Sequence, residues 1–105
     1  MSYTVYLTET AKEDLREIAM WIAQHSKDVE IARKFVAELR DECKKLASFP
    51  DRGAYPRDRV LRSTGYRYIV YKDYVIFYLI EGSAVKIMAI FNGKKDYLRV
   101  MGKFV

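Results

Sequence analysis

Basic side chains dominate the chemistry-bearing residues of this chain, and they are unevenly placed. Residues 1–50 hold 8 Lys and Arg against 9 Asp and Glu, whereas residues 51–105 hold 11 against 5. The net charge of +5 therefore resides in the second half. Arg52, Arg57, Arg59 and Arg62 follow one another closely after Pro50, and Lys94, Lys95 and Arg99 lie near the C-terminus. A one-sided cationic surface suits an acidic partner, either nucleic acid or an acidic protein segment. Five tyrosines (Tyr66, Tyr68, Tyr71, Tyr74 and Tyr78) fall among predicted strands. They could stack bases, but tyrosine is also a favoured strand residue that buries its ring, and most of the five are expected to be structural.

Several other chemistries are excluded. The only histidine, His25, lies in a polar link between two predicted helices and is expected to be a helix-terminal residue. The single cysteine, Cys43, occupies an apolar helical position and has no partner for a disulfide, which suits a reducing compartment. No His, Cys, Asp and Glu cluster has metal spacing, and there is no glycine-rich phosphate cradle or Ser/His/Asp set. No metal or nucleotide cofactor is expected. Neither a signal peptide nor a membrane-length apolar run is apparent, so a cytoplasmic protein is expected.

The elements that must position the basic residues follow from periodicity. Half of the 105 residues are hydrophobic and 31% are charged, the balance of one globular domain spanning residues 1–105. Tyr3 to Leu7 alternates as a short strand. Thr10-Ala11-Lys12-Glu13 has capping-box form, and Ala11, Leu15, Ile18, Ala19 and Ile22 recur at helical spacing, predicting a helix over about Glu9 to Gln24. Ser26 or Asp28 can cap a second helix with Ala32, Phe35, Val36, Leu39, Cys43 and Leu46 on its apolar face. The short link predicts an antiparallel helical hairpin.

After Pro50 the sequence reads as a basic loop reaching Arg62. Strand formers then fill Tyr66 to Tyr71, Tyr74 to Ile80 and Ala84 to Phe91, separated by Lys72-Asp73 and Glu81-Gly82-Ser83, which predicts an antiparallel meander. The run Tyr74 to Ile80 lacks polar alternation and should be a central strand covered on both faces. A helical hairpin covers one face only. The other is left to large side chains, to the C-terminal tail from Lys94, or to a bound partner. The fold class is thus α+β, with an N-terminal strand and a helical hairpin packed on an antiparallel sheet.

This order of elements resembles the RelE/ParE superfamily of toxins from type II toxin–antitoxin systems. The resemblance rests on Leu7-Thr8-Glu9-Thr10-Ala11 with Asp14, Leu15 and Ile18, on Phe49-Pro50-Asp51-Arg52-Gly53, on Gly65-Tyr66-Arg67 with Tyr74 to Tyr78, and on Ile90-Phe91-Asn92-Gly93-Lys94-Lys95-Asp96-Tyr97. It implies a protein that arrests bacterial growth when freed from a cognate acidic antitoxin. The target is then either ribosome-bound messenger RNA, cut by RelE-like members, or DNA gyrase, poisoned by ParE-like members.

On the RelE-like reading, Arg62, Arg67, Lys95 and Tyr97 are the catalytic candidates. Arginine and lysine stabilise the charge that builds on a phosphate attacked by its neighbouring 2′-hydroxyl, and a tyrosine or a base of depressed pKa moves protons. Arg67 matches the arginine of the family's Gly-Tyr-Arg motif, although it could instead pair with Asp73 or Asp96. Yet Asp58 and Val60 stand where RNA-cleaving relatives carry basic residues, which tilts the expectation toward gyrase poisoning. A partner-binding module without toxicity is the remaining alternative. For either target or for the antitoxin, the expected contact residues are Arg57, Arg59, Arg62, Tyr66, Arg67, Lys94, Lys95 and Arg99. Trp21, off the main apolar stripe, is expected to seal the hairpin or to anchor a partner.

Overall fold

Thr8 is the point at which the N-terminal strand becomes a helix. Its backbone is extended (φ −69°, ψ 165°), and its side chain accepts a hydrogen bond from the Ala11 amide, the N3 position of the helix. The same hydroxyl donates to the carbonyl of Ile87 at 2.7 Å, so one threonine caps the helix and ties it to the sheet. In the computed structural model, which describes residues 2–104, strand β1 spans Thr4–Leu7 and helix α1 spans Glu9–Ser26. The expected cap at Thr10 is therefore displaced by two residues. Thr10 lies within α1, because Thr8 already has the extended conformation that a capping residue requires.

Helix α1 continues two residues past the expected Gln24. Lys27 then turns the chain in the left-handed region (φ 58°), and Asp28 caps α2 (Val29–Lys45) by accepting from the amides of Glu30 and Ile31. The hairpin is antiparallel, and its apolar stripes face the sheet as periodicity requires. Ala11, Leu15 and Ile18 of α1 and Leu39, Cys43 and Leu46 at α2 are buried with Ile69, Ile76, Tyr78, Val85, Ile87 and Ile90. Each large aliphatic side chain removed from water here contributes about 1.5–3 kcal/mol.

The segment expected to be an irregular basic loop contains a 3-10 turn at Pro50–Arg52 and a short helix, α3 (Arg59–Thr64). Asp58 caps α3 by accepting from the Leu61 amide at 3.0 Å, and Gly65, at φ 99°, closes it and leads into the sheet.

The meander follows as β2 (Tyr66–Tyr71), β3 (Tyr74–Glu81) and β4 (Ala84–Asn92), all antiparallel. The four-stranded order is β1-β4-β3-β2, so β3 is central as its uninterrupted apolar run predicted. Strand β1 pairs with β4 in parallel, from Thr4 opposite Ala84 to Leu7 opposite Ile87. Hence the sheet is an antiparallel meander with one parallel strand added at its edge. Parallel pairing needs a crossover of a dozen or more residues, and here the helical hairpin, α3, β2 and β3 lie between the two strands.

The second face of the sheet is covered by the chain itself. Leu61 of α3 and Val100 of α4 (Tyr97–Met101) are buried with Val75, Phe77, Ala89 and Phe91, and Tyr66 and Phe104 pack against them. Tyr66 stacks on Phe77 with ring centroids 4.7 Å apart. The C-terminal residues thus form a helical turn and a 3-10 turn (Gly102–Phe104) that cover part of the face left open in the sequence reading. Among the described residues no helix is long and apolar enough to cross a membrane.

Candidate functional site

The basic segment after α2 is held against the edge of β2 by buried polar contacts. Ala54 exchanges two backbone hydrogen bonds with Tyr68, each 2.9 Å, and so closes part of the exposed β2 edge. Inside this bridge the buried Tyr78 hydroxyl donates to the Pro50 carbonyl and accepts the Gly53 amide at 3.1 Å. Burial pushes the Tyr78 phenol above its ordinary pKa, and the Gly53 hydrogen bond opposes that shift. Only glycine fits at position 53, where an added Cβ would lie 2.2 Å from the Tyr78 hydroxyl oxygen.

Arg67 completes the arrangement. Its Nη1 donates to the carbonyls of Asp51 and Gly53 at 3.0 and 3.1 Å, and its Nη2 donates to the Tyr55 hydroxyl at 2.7 Å. The guanidinium also lies 4.3 Å from the centre of the Tyr55 ring. The pairing with Asp73 or Asp96 considered from the sequence does not occur: Asp73 pairs with Lys94 and Asp96 with Arg99. Gly53, which the sequence marked only as part of a family motif, and Tyr55 were not expected as site residues. No local pattern links Tyr55 to Arg67, because the contact depends on the loop folding back across β2.

The expected cationic surface separates into two regions of different character. At the C-terminal end, Lys94 pairs with Asp73 at 3.4 Å, Arg99 pairs with Asp96 at 3.3 Å, and Lys95 places its Nζ 4.3 Å from the Trp21 ring centre. Trp21 in turn stacks on His25, with ring centroids 4.0 Å apart, and His25 sits in the last turn of α1 with Nδ1 2.8 Å from the Trp21 carbonyl oxygen. Trp21 remains partly exposed and lines a cleft of about 450 Å³ between α1 and the C-terminal segment. Glu13, Asp14 and Glu17 form one wall of this cleft, and Lys95, Arg99 and Lys103 the other.

At the other end, Arg57, Arg59 and Arg62 pair with no carboxylate among the described residues, and Arg62 donates only to the Pro56 carbonyl at 3.3 Å. The nearby acids are committed elsewhere, with Asp58 capping α3 and Glu42 pairing with Arg52 at 3.4 Å. Val60, 57% exposed, and Tyr55, 47% exposed, lie in the same stretch. This is a cationic surface interleaved with apolar side chains.

Among the described contacts the four catalytic candidates engage separate partners and not one another. Arg67 pairs in register with Tyr78, whereas Lys95 follows Asn92, which pairs with Tyr74. These positions are four residues apart along β3, about 13 Å at 3.3 Å per residue. Tyr97 packs near Phe91 with ring centroids 6.5 Å apart, and Arg62, on α3, donates to the Pro56 carbonyl. Tyr66 is half-buried against Phe77 and contributes to the core.

Of the other perturbed groups, Asp14 in the cleft wall is held above its ordinary pKa by burial, whereas Cys43 and Glu38 line neither region. Burial pushes the Cys43 thiol up to about 12, so it remains a neutral thiol within the core. Glu38 is held below its ordinary range chiefly by the Tyr71 hydroxyl, and it also accepts a hydrogen bond from Lys72 at 3.3 Å. Among the described residues no group of three acidic, histidine or cysteine side chains could hold a metal ion.

Comparison with known proteins places this architecture. The chain is similar in fold to a structure of the chromosomal ParDE toxin–antitoxin system from P. aeruginosa, at 20% identity and a TM-score of 0.73, covering 87% of this chain and 96% of that one. It is similar also to the toxin–antitoxin complex RelBE2 from Mycobacterium tuberculosis, at 22% identity and a TM-score of 0.66, covering 88% and 99%. No curated protein sequence matches it. The family model for the ParE toxin of the type II toxin–antitoxin system parDE matches residues 5–97, from β1 to the start of α4, and the chain accordingly belongs to the ParE toxin family.

Proposed function

We propose that this chain arrests bacterial growth by ParE-like poisoning of DNA gyrase, using the surface formed by Arg57, Arg59, Arg62 and the adjoining Tyr55 and Val60, and that a cognate acidic antitoxin neutralises it. The observation that carries this reading is that the ribonuclease candidates each engage other partners and, among the described contacts, not one another. Metal-independent cleavage of RNA needs cations and a proton-transfer group within hydrogen-bond reach of one phosphate. Here Arg67 directs its donors at its own backbone, Lys95 lies over the Trp21 ring, and Tyr97 packs near Phe91. A toxin that acts by occupying a surface of its target requires no such convergence. It requires an accessible, pre-organised face, and the unpaired arginines on α3 and before it supply one.

The antitoxin assignment rests on family membership and on the charge of the second half. An acidic segment would be drawn to the same arginines, and its occupancy would exclude the target. Purified chain titrated into a gyrase supercoiling reaction should abolish supercoiling, while ribosome-bound messenger stays intact. Codon-phased cuts in messenger, with supercoiling unaffected, would assign the RelE-like activity instead. Unimpeded growth of a bacterial host at high expression would identify a partner-binding module without toxicity.

A further inference from the structure

We infer that Arg67 and Tyr78 are positioning residues, which clamp the chain from Pro50 to Tyr55 so that Arg57, Arg59 and Arg62 are presented to the target as a fixed face. The inference rests on the reading of that face as the target contact.

The clamp reaches the segment from two directions. Tyr78 approaches from β3, beneath the loop, and its hydroxyl engages the Pro50 carbonyl and the Gly53 amide together. Arg67 approaches from β2, the neighbouring strand in register with Tyr78, and engages the carbonyls of Asp51 and Gly53 and the hydroxyl of Tyr55. Between them they satisfy polar groups at Pro50, Asp51, Gly53 and Tyr55. The Ala54 to Tyr68 backbone pair lies in the same span.

The two ends of the basic segment are then fixed independently. Its start is set by this clamp, and its end by Leu61, which is fully buried on the second face of the sheet. Arg62 closes the interval by donating to the Pro56 carbonyl, and Pro56 is itself buried. A segment pinned at both ends loses little further freedom when it meets a partner, which favours affinity without any new contact.

Arg67 is well suited to this role because it is a fork. A lysine at the same position keeps the charge but carries one compact ammonium, which cannot address three acceptors spread over five residues together with an aromatic face. Its charge and its geometry can therefore be separated. If Arg67 acted on the target through charge, lysine would substitute. As a clamp it cannot be replaced by lysine.

The test compares the wild-type chain with Arg67→Lys, Tyr78→Phe and the double variant Arg57→Ala/Arg59→Ala. The readouts are the rate of tryptic cleavage after Arg57 and Arg59, followed by mass spectrometry, the potency against gyrase supercoiling, and far-UV circular dichroism. Arg67→Lys and Tyr78→Phe should keep the wild-type spectrum but be cut at least about tenfold faster in this segment, since losing a hydrogen bond from a charged or buried donor shifts a local opening equilibrium by that order. Their potency should fall with it. The Arg57→Ala/Arg59→Ala chain should lose potency while its remaining loop bonds, probed by hydrogen exchange of the Gly53 and Ala54 amides, stay protected as in wild type.

Wild-type cleavage and potency in Arg67→Lys would overturn the clamp. Faster cleavage with undiminished potency would also overturn the inference, and would place the fault in the choice of target face rather than in the clamp itself. Should Tyr78→Phe fail to fold, Arg67→Lys decides alone, because Arg67 is at the surface side of the loop and its replacement leaves the core cluster intact.

Discussion

Asp14 on α1 accepts the backbone amide of Ile90 on β4 at 2.9 Å, a contact that spans 76 residues of sequence. Strand β1 covers β4 only as far as Ile87, so the edge of β4 beyond it has no neighbouring strand, and a helical carboxylate takes the place of a strand carbonyl there. Burial raises the Asp14 pKa above 3.8, and the Ile90 amide opposes this. Ionised Asp14 therefore costs stability in the folded state. On lowering the pH, the folded protein takes up this proton before the unfolded chain does. The stability of wild type relative to Asp14→Asn should consequently rise as the pH falls from neutrality through the raised pKa, and should level off below about 3.8, the unfolded value. Urea unfolding of the two proteins at several pH values measures the difference. A flat difference from pH 7 to pH 3 would exclude the shift.

Thr8 and Thr10 provide a second test, since the sequence alone favours the wrong one as the cap. Thr8→Ala removes the acceptor for Ala11 and the tether to Ile87, and should destabilise the protein by about 1–2 kcal/mol, the upper part of the range for N-cap loss. Thr10→Ala, exposed within α1, should change stability by less than about 0.5 kcal/mol. Thr8→Ser should retain most of the wild-type stability. Chemical denaturation midpoints, compared at equal m-values, decide between them.

Gly53→Ala tests the close approach under the basic loop. The new methyl would lie 2.2 Å from the Tyr78 hydroxyl oxygen, 2.9 Å from its ring carbon Cζ and 3.0 Å from the Tyr68 carbonyl oxygen. Tyr78 is fully buried and cannot swing aside, so the loop must lift and break hydrogen bonds. A loss of about 1–3 kcal/mol is expected, the usual cost of overpacking a filled site. Because Tyr78→Phe removes the clashing oxygen, the double variant should recover part of that loss in a double-mutant cycle.

The two cationic regions should differ under mutation. Arg57→Ala/Arg59→Ala should leave the melting temperature near that of wild type, reduce inhibition of gyrase, and flatten its dependence on salt, since unpaired exposed charges steer association and are screened over about 8 Å at physiological ionic strength. Lys94→Ala, whose charge is already paired with Asp73, should change inhibition much less. Equal losses from both changes would mean that the target spans the whole basic half of the chain.

Cys43 should resist alkylation in the folded protein. Its thiol is buried within the core and pushed up to about 12, so at neutral pH the reactive thiolate is scarce and inaccessible. The rate of iodoacetamide labelling should track global unfolding across a urea series. Rapid labelling in native buffer would mean that α2 lifts from the sheet far more readily than its packing implies.

Local periodicity was sufficient for much of the architecture. The stripes Ala11, Leu15, Ile18, Ala19, Ile22 and Ala32, Phe35, Val36, Leu39, Cys43, Leu46 defined the hairpin, and the uninterrupted apolar run of Tyr74 to Ile80 marked the central strand, because a repeat of 3.6 or 2 residues is a direct consequence of which faces are buried. The basic segment and its charge asymmetry were equally legible, since charge is carried by composition. What depended on tertiary structure was every contact between distant segments. These include the parallel docking of β1 on β4, the covering of the second face by Leu61, Val100 and Phe104, and the engagement of Lys95 with Trp21 and of Arg67 with Tyr55. Arg67 is the sharpest case. Its type and motif mark it as a group for binding phosphate, yet its donors point at Asp51, Gly53 and Tyr55, because a guanidinium within reach of folded-back carbonyls satisfies them before any ligand arrives. Sequence specifies which donors and acceptors exist, and only the closed chain decides which of them meet.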